Sequence, residues 1–445
     1  MLALTADERV CESAGMIEFA TLLLGIVTGL HPVSVMVDET RVASVELRLD
    51  GRVVAPAIAA PWRVECDFGA EIRPHVLEAV ALAADRRELG RASQWVNLPR
   101  QRAEVALLVQ RDGKGGATAK LAWSSAIHSP AKSVRVSLDE TPLDVRDPAA
   151  IPLPAEVREG IHLLHAEVAF ADGRIARTDV AVGGGYFDRS AGELTAVPFV
   201  PTGKAALPEP EGMAGWFSCE GERILPTAVE KGRAEVVLVV SASTAERFRV
   251  ASVLWGPAAF HRTILPGLGD DTSVRVVVPA PEASAVAGGA ASRLFPLSQP
   301  LRPGEATPLL LSVAAADAAS RRDRQQLAAA VALAGIEACA SGQRRVVVLL
   351  LGHRADDDQE ARTAEVQKFL ADLHVPLVVW ALSDQPRPAA AWPARLLTAP
   401  AQIHDLARHV ETILDSQRIV WLSGRHLPYR IELSPAASER GRLAG

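Results

Sequence analysis

The chain has 445 residues, of which 49% are hydrophobic, 22% charged and 4% aromatic, and its formal net charge is −6. That length predicts about three domains, and the hydrophobic share is enough to give each a buried core. The slight acidity offers no attraction to nucleic acid or an anionic membrane, and the scarce aromatic rings offer no platform for stacking bases.

Residues 1–16 read as an N-terminal tail. Ala20–Leu30 has the look of a signal-peptide core, but acids (Asp7, Glu8, Glu12, Glu18) precede it where lysines belong. It also falls short of the ~18 apolar residues a membrane span requires. Its Thr, Ile and Val content predicts a β-strand, with Gly25 at a bend or bulge. Cys11, Cys66, Cys219 and Cys339 are scattered, with neither a CxxC nor a ligand-like spacing, and read as separate unpaired residues.

Two segments then repeat. Ser44-Val-Glu-Leu-Arg-Leu-Asp-Gly51 parallels Ser133-Val-Arg-Val-Ser-Leu-Asp-Glu140 at an offset of 89. His75-Val-Leu-Glu-Ala79 with Asp85 parallels His162-Leu-Leu-His-Ala166 with Asp172 at an offset of 87. Both copies alternate apolar and polar residues, the period of a half-buried strand, and close on turn residues such as Asp50-Gly51 and Asp172-Gly173. The spacing predicts two tandem all-β sandwiches, at 17–97 and 103–190. His75 and His162 each begin a strand after a turn, which reads as a structural position rather than a metal ligand. The first copy, through Val-Glu-Leu-x-Leu-Asp-Gly, Ala60-Pro-Trp-Arg-Val64 and His75–Ala81, resembles the immunoglobulin-like modules of bacterial surface proteins.

Prolines and glycines cluster over 198–232 (Pro201, Pro208, Pro210, Gly212, Gly215), which predicts an inter-domain linker. Beyond it the period changes. Val236–Val240, Ser273–Val278, Arg344–Leu351 and Leu377–Leu382 are apolar runs suited to strands buried on both faces. They alternate with a helix expected from Thr244 and with helical stripes at Leu327/Ala330/Val331/Ala334, Val366/Phe369/Leu370/Leu373 and Ile403/Leu406/Val410/Ile413. Ile419–Leu422 follows as a last strand. This order predicts a doubly wound, Rossmann-like α/β domain over 233–435, with 436–445 as a C-terminal tail. In such a sheet ligands sit beyond the carboxyl ends of the strands.

The turn after Val240 reads Ser241-Ala-Ser-Thr-Ala245. With the order of strands around it, this half resembles the von Willebrand factor A (VWA) domain of bacterial envelope proteins that pair immunoglobulin-like modules with a C-terminal VWA unit. The resemblance covers about 232–435. It implies a divalent-cation site on three loops, which in the family carry Asp-x-Ser-x-Ser, a Thr in Gly-Gly-Thr-Pro-Leu-Tyr-Asp, and Thr-Asp-Gly. Here Ser241, Ser243 and Ala245 stand in the first, Thr307 in the second with Leu310 and Leu311 for Tyr and Asp, and Gly352 and His353 in the third. The family's carboxylates are missing. Mg²⁺ dehydrates reluctantly and needs charged oxygen ligands, so neutral hydroxyls do not replace them. The resemblance thus implies a degenerate metal-ion-dependent adhesion site and a face that binds another protein without metal, in a secreted or cell-envelope setting.

Two alternatives are carried alongside. Asp356, Asp357 and Asp358, just past the strand at Leu351, are substitute ligands if Mg²⁺ is bound after all; otherwise they are a solvated loop at a helix N-terminus. Asp270-Asp271 reads as a turn before a strand. Ser241 or Ser243 on a strand-to-helix turn is the other-class alternative, a serine hydrolase. Its nucleophile-elbow glycines are missing, as are Walker, dinucleotide and His-Glu-x-x-His motifs. No catalytic residue is therefore expected.

Overall fold

The computed structural model describes residues 16–58, 60–100, 103–111, 117–125, 129–139, 141–154, 162–182, 194–203, 207–240, 265, 268–269, 271–279, 295, 297–306, 326–340, 342–351, 362–381, 392–397 and 401–445. The chain divides into two compact units, Met1–Ala191 with Ala287–Ser292, and Gly192–Val286 with Arg293–Gly445.

Unit 1 opens with β1 (Ile17–Phe19), β2 (Leu30–Val37), β3 (Ser44–Leu49), β4 (Arg52–Ile58), β5 (Arg63–Asp67), β6 (His75–Leu82) and β7 (Glu88–Val96). They form two antiparallel sheets, β1-β2-β5 and β4-β3-β6-β7. Side chains alternate along each strand, so one face of each sheet turns inward. Phe19, Val33, Val35, Leu47, Leu77 and Ala79 meet in a shared core. The second copy supplies β8 (Ala103–Arg111), β9 (Ala117–Ser125), β10 (Ala131–Leu138), β11 (Thr141–Pro142), β12 (Ile151–Leu153), β13 (His162–Phe170) and β14 (Ile175–Val182). Its sheets are β8-β9-β12 and β11-β10-β13-β14, the same order strand for strand, around Leu107, Leu121, Leu138, Leu164 and Phe170. The sequence repeat is thus a repeated immunoglobulin-like sandwich.

The strand expected over 20–30 is replaced by a break between β1 and β2. Its backbone is satisfied by side-chain amides instead of a ladder. Gln94 Oε1 accepts from Leu23 N (3.2 Å) and Gln94 Nε2 donates to Thr21 O (3.0 Å). Asn97 accepts from Val27 N (2.7 Å) and donates to Val27 O (2.9 Å). Two amides placed at one end of β7 and just past it offer the same donors and acceptors as a strand edge, so the apolar segment is buried without being extended.

Unit 2 begins with β15 (Leu194–Pro201), a 3₁₀ turn (Pro210–Met213), β16 (Phe217–Cys219), β17 (Glu222–Ile224) and β18 (Pro226–Glu230). The region expected as a linker over 198–232 therefore holds the end of β15, a 3₁₀ turn and three short strands, its prolines and glycines lying both within these elements and at the turns between them. The chain then builds β19 (Ala234–Val240), β20 (Thr272–Val277), α1 (Leu327–Ala340), β21 (Arg344–Leu351), α2 (Thr363–Asp372), β22 (Leu377–Ala381), β23 (Arg395–Leu396) and α3 (Ala401–Ser416). It returns through β24 (Arg418–Ser423), β25 (Ile431–Leu433), α4 (Pro435–Arg440) and β26 (Gly441–Leu443).

The return corrects two expectations. Ile419–Leu422 joins no parallel sheet; β24 lies antiparallel between β18 and β15. The expected tail at 436–445 is a helix and a strand, β26 pairing with β15. Sheets β18-β24-β15-β26 and β17-β16-β25 share a small core of Val197, Phe199, Met213, Phe217, Val420 and Leu422. The α/β segment is thus inserted between β18 and β24 of an antiparallel subdomain. Alternation alone could not reveal this, because β24 is only six residues long and follows a helix.

The inserted sheet has the order β20-β19-β21-β22-β23 and is parallel throughout. β19 and β21 are buried along their whole length, as strands covered on both faces must be. Val236, Leu238, Val348 and Leu350 face Leu406, Val410 and Leu414 of α3. The alternate residues face α1, which packs on β19 and β21. The parallel sheet is thus buried on both faces, with α1 and α3 packed on it.

At the amino edge of this sheet Arg344 is buried, at 2% exposure. Its guanidinium donates to Gly232 O (3.2 Å), Leu414 O (3.2 Å), Asp415 (3.2 Å) and Asp271 (3.0 Å), tying the start and end of the insertion together. Asp271 therefore has the structural role its turn position predicts. Gln417 adds a reciprocal pair with the Arg345 backbone, 2.9 Å in each direction.

Candidate functional site

In an open parallel α/β sheet the place for a ligand is the crevice at the switch point, where the strand order reverses. Here that point lies between β19 and β21, which pair in register from Ala234↔Arg344 to Val240↔Leu350. β20 ends level with them through Val239↔Val277, and β22 through Leu351↔Ala381. The carboxyl ends Val240, Val277, Leu351 and Ala381 therefore form one edge, and the loops after Val240 and Leu351 leave from adjacent strands.

In sequence, Ser241 and Ser243 follow Val240, and Gly352, His353 and Asp356–Asp358 follow Leu351. Ser241, Ser243, Thr307, Gly352, His353, Asp356, Asp357 and Asp358 all fall outside the described residues, as does the helix expected from Thr244. The strands that would hold the first and third loops are brought side by side; the position of Thr307 follows residues 303–306.

The described residues bordering this edge share a further property. Gln326 precedes α1 and donates its backbone N–H to Pro279 O (3.1 Å), just past the end of β20. Thr363 opens α2, whose preceding Arg362 provides no side-chain cap. Trp380 is the penultimate residue of β22, and Trp392 precedes β23. Each carries a buried polar atom with no hydrogen-bond partner among the described residues: Gln326 Oε1, Thr363 Oγ1, Trp380 Nε1 and Trp392 Nε1. The same holds for Trp62 Nε1 in the first sandwich and Arg345 Nε at the amino end of β21. Buried polar atoms in native folds are mostly paired, with protein or with ordered water, and these four are the ones at this edge for which the described residues supply no partner. Sequence reading missed these four, because a Trp or Thr in an apolar stretch looks like ordinary core.

Away from the edge, the ionisable groups serve the fold. Glu235, 1% exposed, pairs with Arg275 (2.8 Å), which also donates to Glu337 (3.2 Å). Burial raises the Cys339 thiol above its ordinary range, and its Sγ–H donates to Leu373 O (3.8 Å). Burial pushes His374 down to about 4, so the ring is neutral and its Nε2–H donates to Pro428 O (2.9 Å). Among the described residues no group of three or more His, Cys, Asp or Glu is placed to hold a metal ion, and no helix is long and apolar enough to cross a membrane.

His75 and His162 are both engaged within their own sandwiches. His75 Nδ1 donates to Asp50 (2.7 Å), whose other oxygen accepts from Val76 N (3.0 Å). His162 Nδ1 donates to Asp139 (2.5 Å), whose other oxygen accepts from Leu163 N (2.7 Å). Each aspartate ends a strand in the left-handed region, at φ 52° for Asp50 and 44° for Asp139. Asp50-Gly51 is the two-residue turn of the β3–β4 hairpin. The aspartate thereby pins the next strand pair to its turn.

No protein-family model matches the sequence, and no curated protein does. Among solved structures the chain is similar to the fibronectin(III)-like modules of Clostridium thermocellum CbhA, at 17% identity and a TM-score of 0.16, over 37% of this chain and 92% of that one. It is similar to the central fibronectin-III array of RIM-binding protein, at 10% identity and a TM-score of 0.20, over 46% and 83%. A third is SGBP-B of the Bacteroides ovatus mixed-linkage glucan utilization locus, solved in complex with a mixed-linkage heptasaccharide. There the identity is 9% and the TM-score 0.14, over 47% of this chain and 57% of that one. Likenesses at this level carry no functional argument, and the sandwich assignment rests on the strand orders and shared cores above.

Proposed function

We propose that this is a non-catalytic binding protein in which immunoglobulin-like sandwiches accompany a VWA-like domain that meets another protein across the carboxyl edge of its parallel sheet, without a metal ion. The observation that carries the reading is the switch point. β19 and β21 are neighbours there, and the chain after each lacks the carboxylate that the VWA resemblance requires: Ser241, Ser243 and Ala245 after one, Gly352 and His353 after the other. The parallel order of the sheet supports it. A secreted or cell-envelope setting comes with the resemblance.

Titration calorimetry of the full chain with Mg²⁺ and with Mn²⁺ tests the metal-free reading. No saturable heat is expected, and a stoichiometric site of micromolar affinity overturns it. Three consecutive acids five residues past Leu351 favour one second reading, in which Asp356–Asp358 supply the ligands. In that event Asp357→Ala abolishes the heat. Labelling of Ser241 or Ser243 by a broad serine-hydrolase probe overturns the non-catalytic reading.

A further inference from the structure

We propose that the two sandwiches of unit 1 are locked by a two-point brace into one rigid body, a stiff spacer rather than a hinged pair. Modules joined by an exposed linker with few contacts swing freely by default. Here the connection 97–102 is short and is held at its first residue. Asn97 is 1% exposed, sits at φ 57°, and donates to both Val27 O (2.9 Å) and Arg73 O (2.7 Å). The chain therefore leaves the first sandwich from a fixed point.

Arg100 is the first fastener. Its Nη1 donates to Gln94 Oε1 of β7 (2.6 Å), while its Nε (2.9 Å) and Nη2 grip the two oxygens of Glu104 on β8. Gln94 is itself fixed by Leu23 N and Thr21 O, so the guanidinium bridges an immobile group of one sandwich to a strand of the next. The Arg100 and Glu104 side chains are 14% and 19% exposed, which shields this forked pair from solvent in a way ordinary surface pairs lack. Lys120 on β9 is the second fastener. It reaches Val37 O at the end of β2 (3.5 Å) and Glu39 in the following turn (3.3 Å). β1 also packs against β8. A single attachment leaves rotation about itself; two attachments on different strands remove it.

The test is pulsed electron paramagnetic resonance on the full chain, with spin labels on cysteines introduced at Arg87 and Arg146, whose side chains are 63% and 89% exposed. The chain without introduced cysteines supplies the background. A single narrow distance distribution is expected, and R100A with K120A should replace it with a broad one while circular dichroism stays unchanged. R100K keeps the charge and loses the fork, so it should broaden the distribution by less and serves if the double variant fails to fold. A broad distribution in the parent chain overturns the proposal, and so does a narrow one that survives in the folded double variant or, where that variant does not fold, in R100K.

Discussion

The two sandwiches repeat the same strand order and the same Asp–His contact, yet they weight that contact differently. In the first, the His75 side chain is 10% exposed and that of Asp50 23%; in the second, His162 is 19% and Asp139 51% exposed. His75 also lies edge-on to Phe68, with ring centroids 6.0 Å apart, and Phe68 in turn meets His31. One contact is packed into the end of its sandwich and the other faces water. Identical hydrogen-bond geometry therefore restrains the same register in both copies, while the free energy at stake follows burial.

Four substitutions probe how far the two copies match, in falling order of effect. Leu77→Ala and Leu164→Ala remove equivalent, fully buried side chains, and each should cost about 2–5 kcal/mol by denaturant unfolding. Similar losses would show that the two cores are matched; clearly unequal ones would break the comparison at the level of packing. Asp50→Ala strands the His75 and Val76 donors in a partly buried setting and should cost about 1–3 kcal/mol. Asp139→Ala should cost distinctly less, because water replaces the lost acceptor.

The smallest effect is a pH dependence in the second copy. The Leu163 N–H, and then the His162 ring, hold the Asp139 carboxyl below its ordinary range. A depressed acid contributes stability that is fully present above its unfolded pKa, near 3.9, and is lost as pH falls through the lower folded value. A carboxyl-carbon NMR titration should show Asp139 still ionised below that ordinary pKa, and His162→Ala should move its midpoint upward. A midpoint at or above the ordinary aspartate value removes the proposed linkage.

Much of the architecture was legible because period and burial coincide. β19, β21 and β22 are continuous apolar runs, and the repeated Asp50 and Asp139 mark equivalent turns. Three regions misled. In Ala20–Leu30, strand-like composition is overridden by the amides of Gln94 and Asn97, residues 71 and 70 positions from the backbone groups they bind. Over 198–232, Pro and Gly are as frequent between three-residue strands as in a linker. β24 resembles a parallel strand in composition and is reassigned by its partners β15 and β18 alone. For the candidate site, the edge was predictable from strand order. The buried atoms of Thr363, Trp380 and Trp392 were not, since no local pattern reveals a missing partner.

The insertion of the α/β segment has a consequence for how this molecule can be taken apart. Its two ends meet: Glu230 pairs with Ile419 across β18 and β24, and Arg344 reaches from Gly232 to Leu414 and Asp415. Chain passing out and back through neighbouring antiparallel strands makes the α/β segment a cassette. A short turn joining Glu230 to Arg418 would close β18 and β24 into a plain hairpin and leave the surrounding sheet pairing intact.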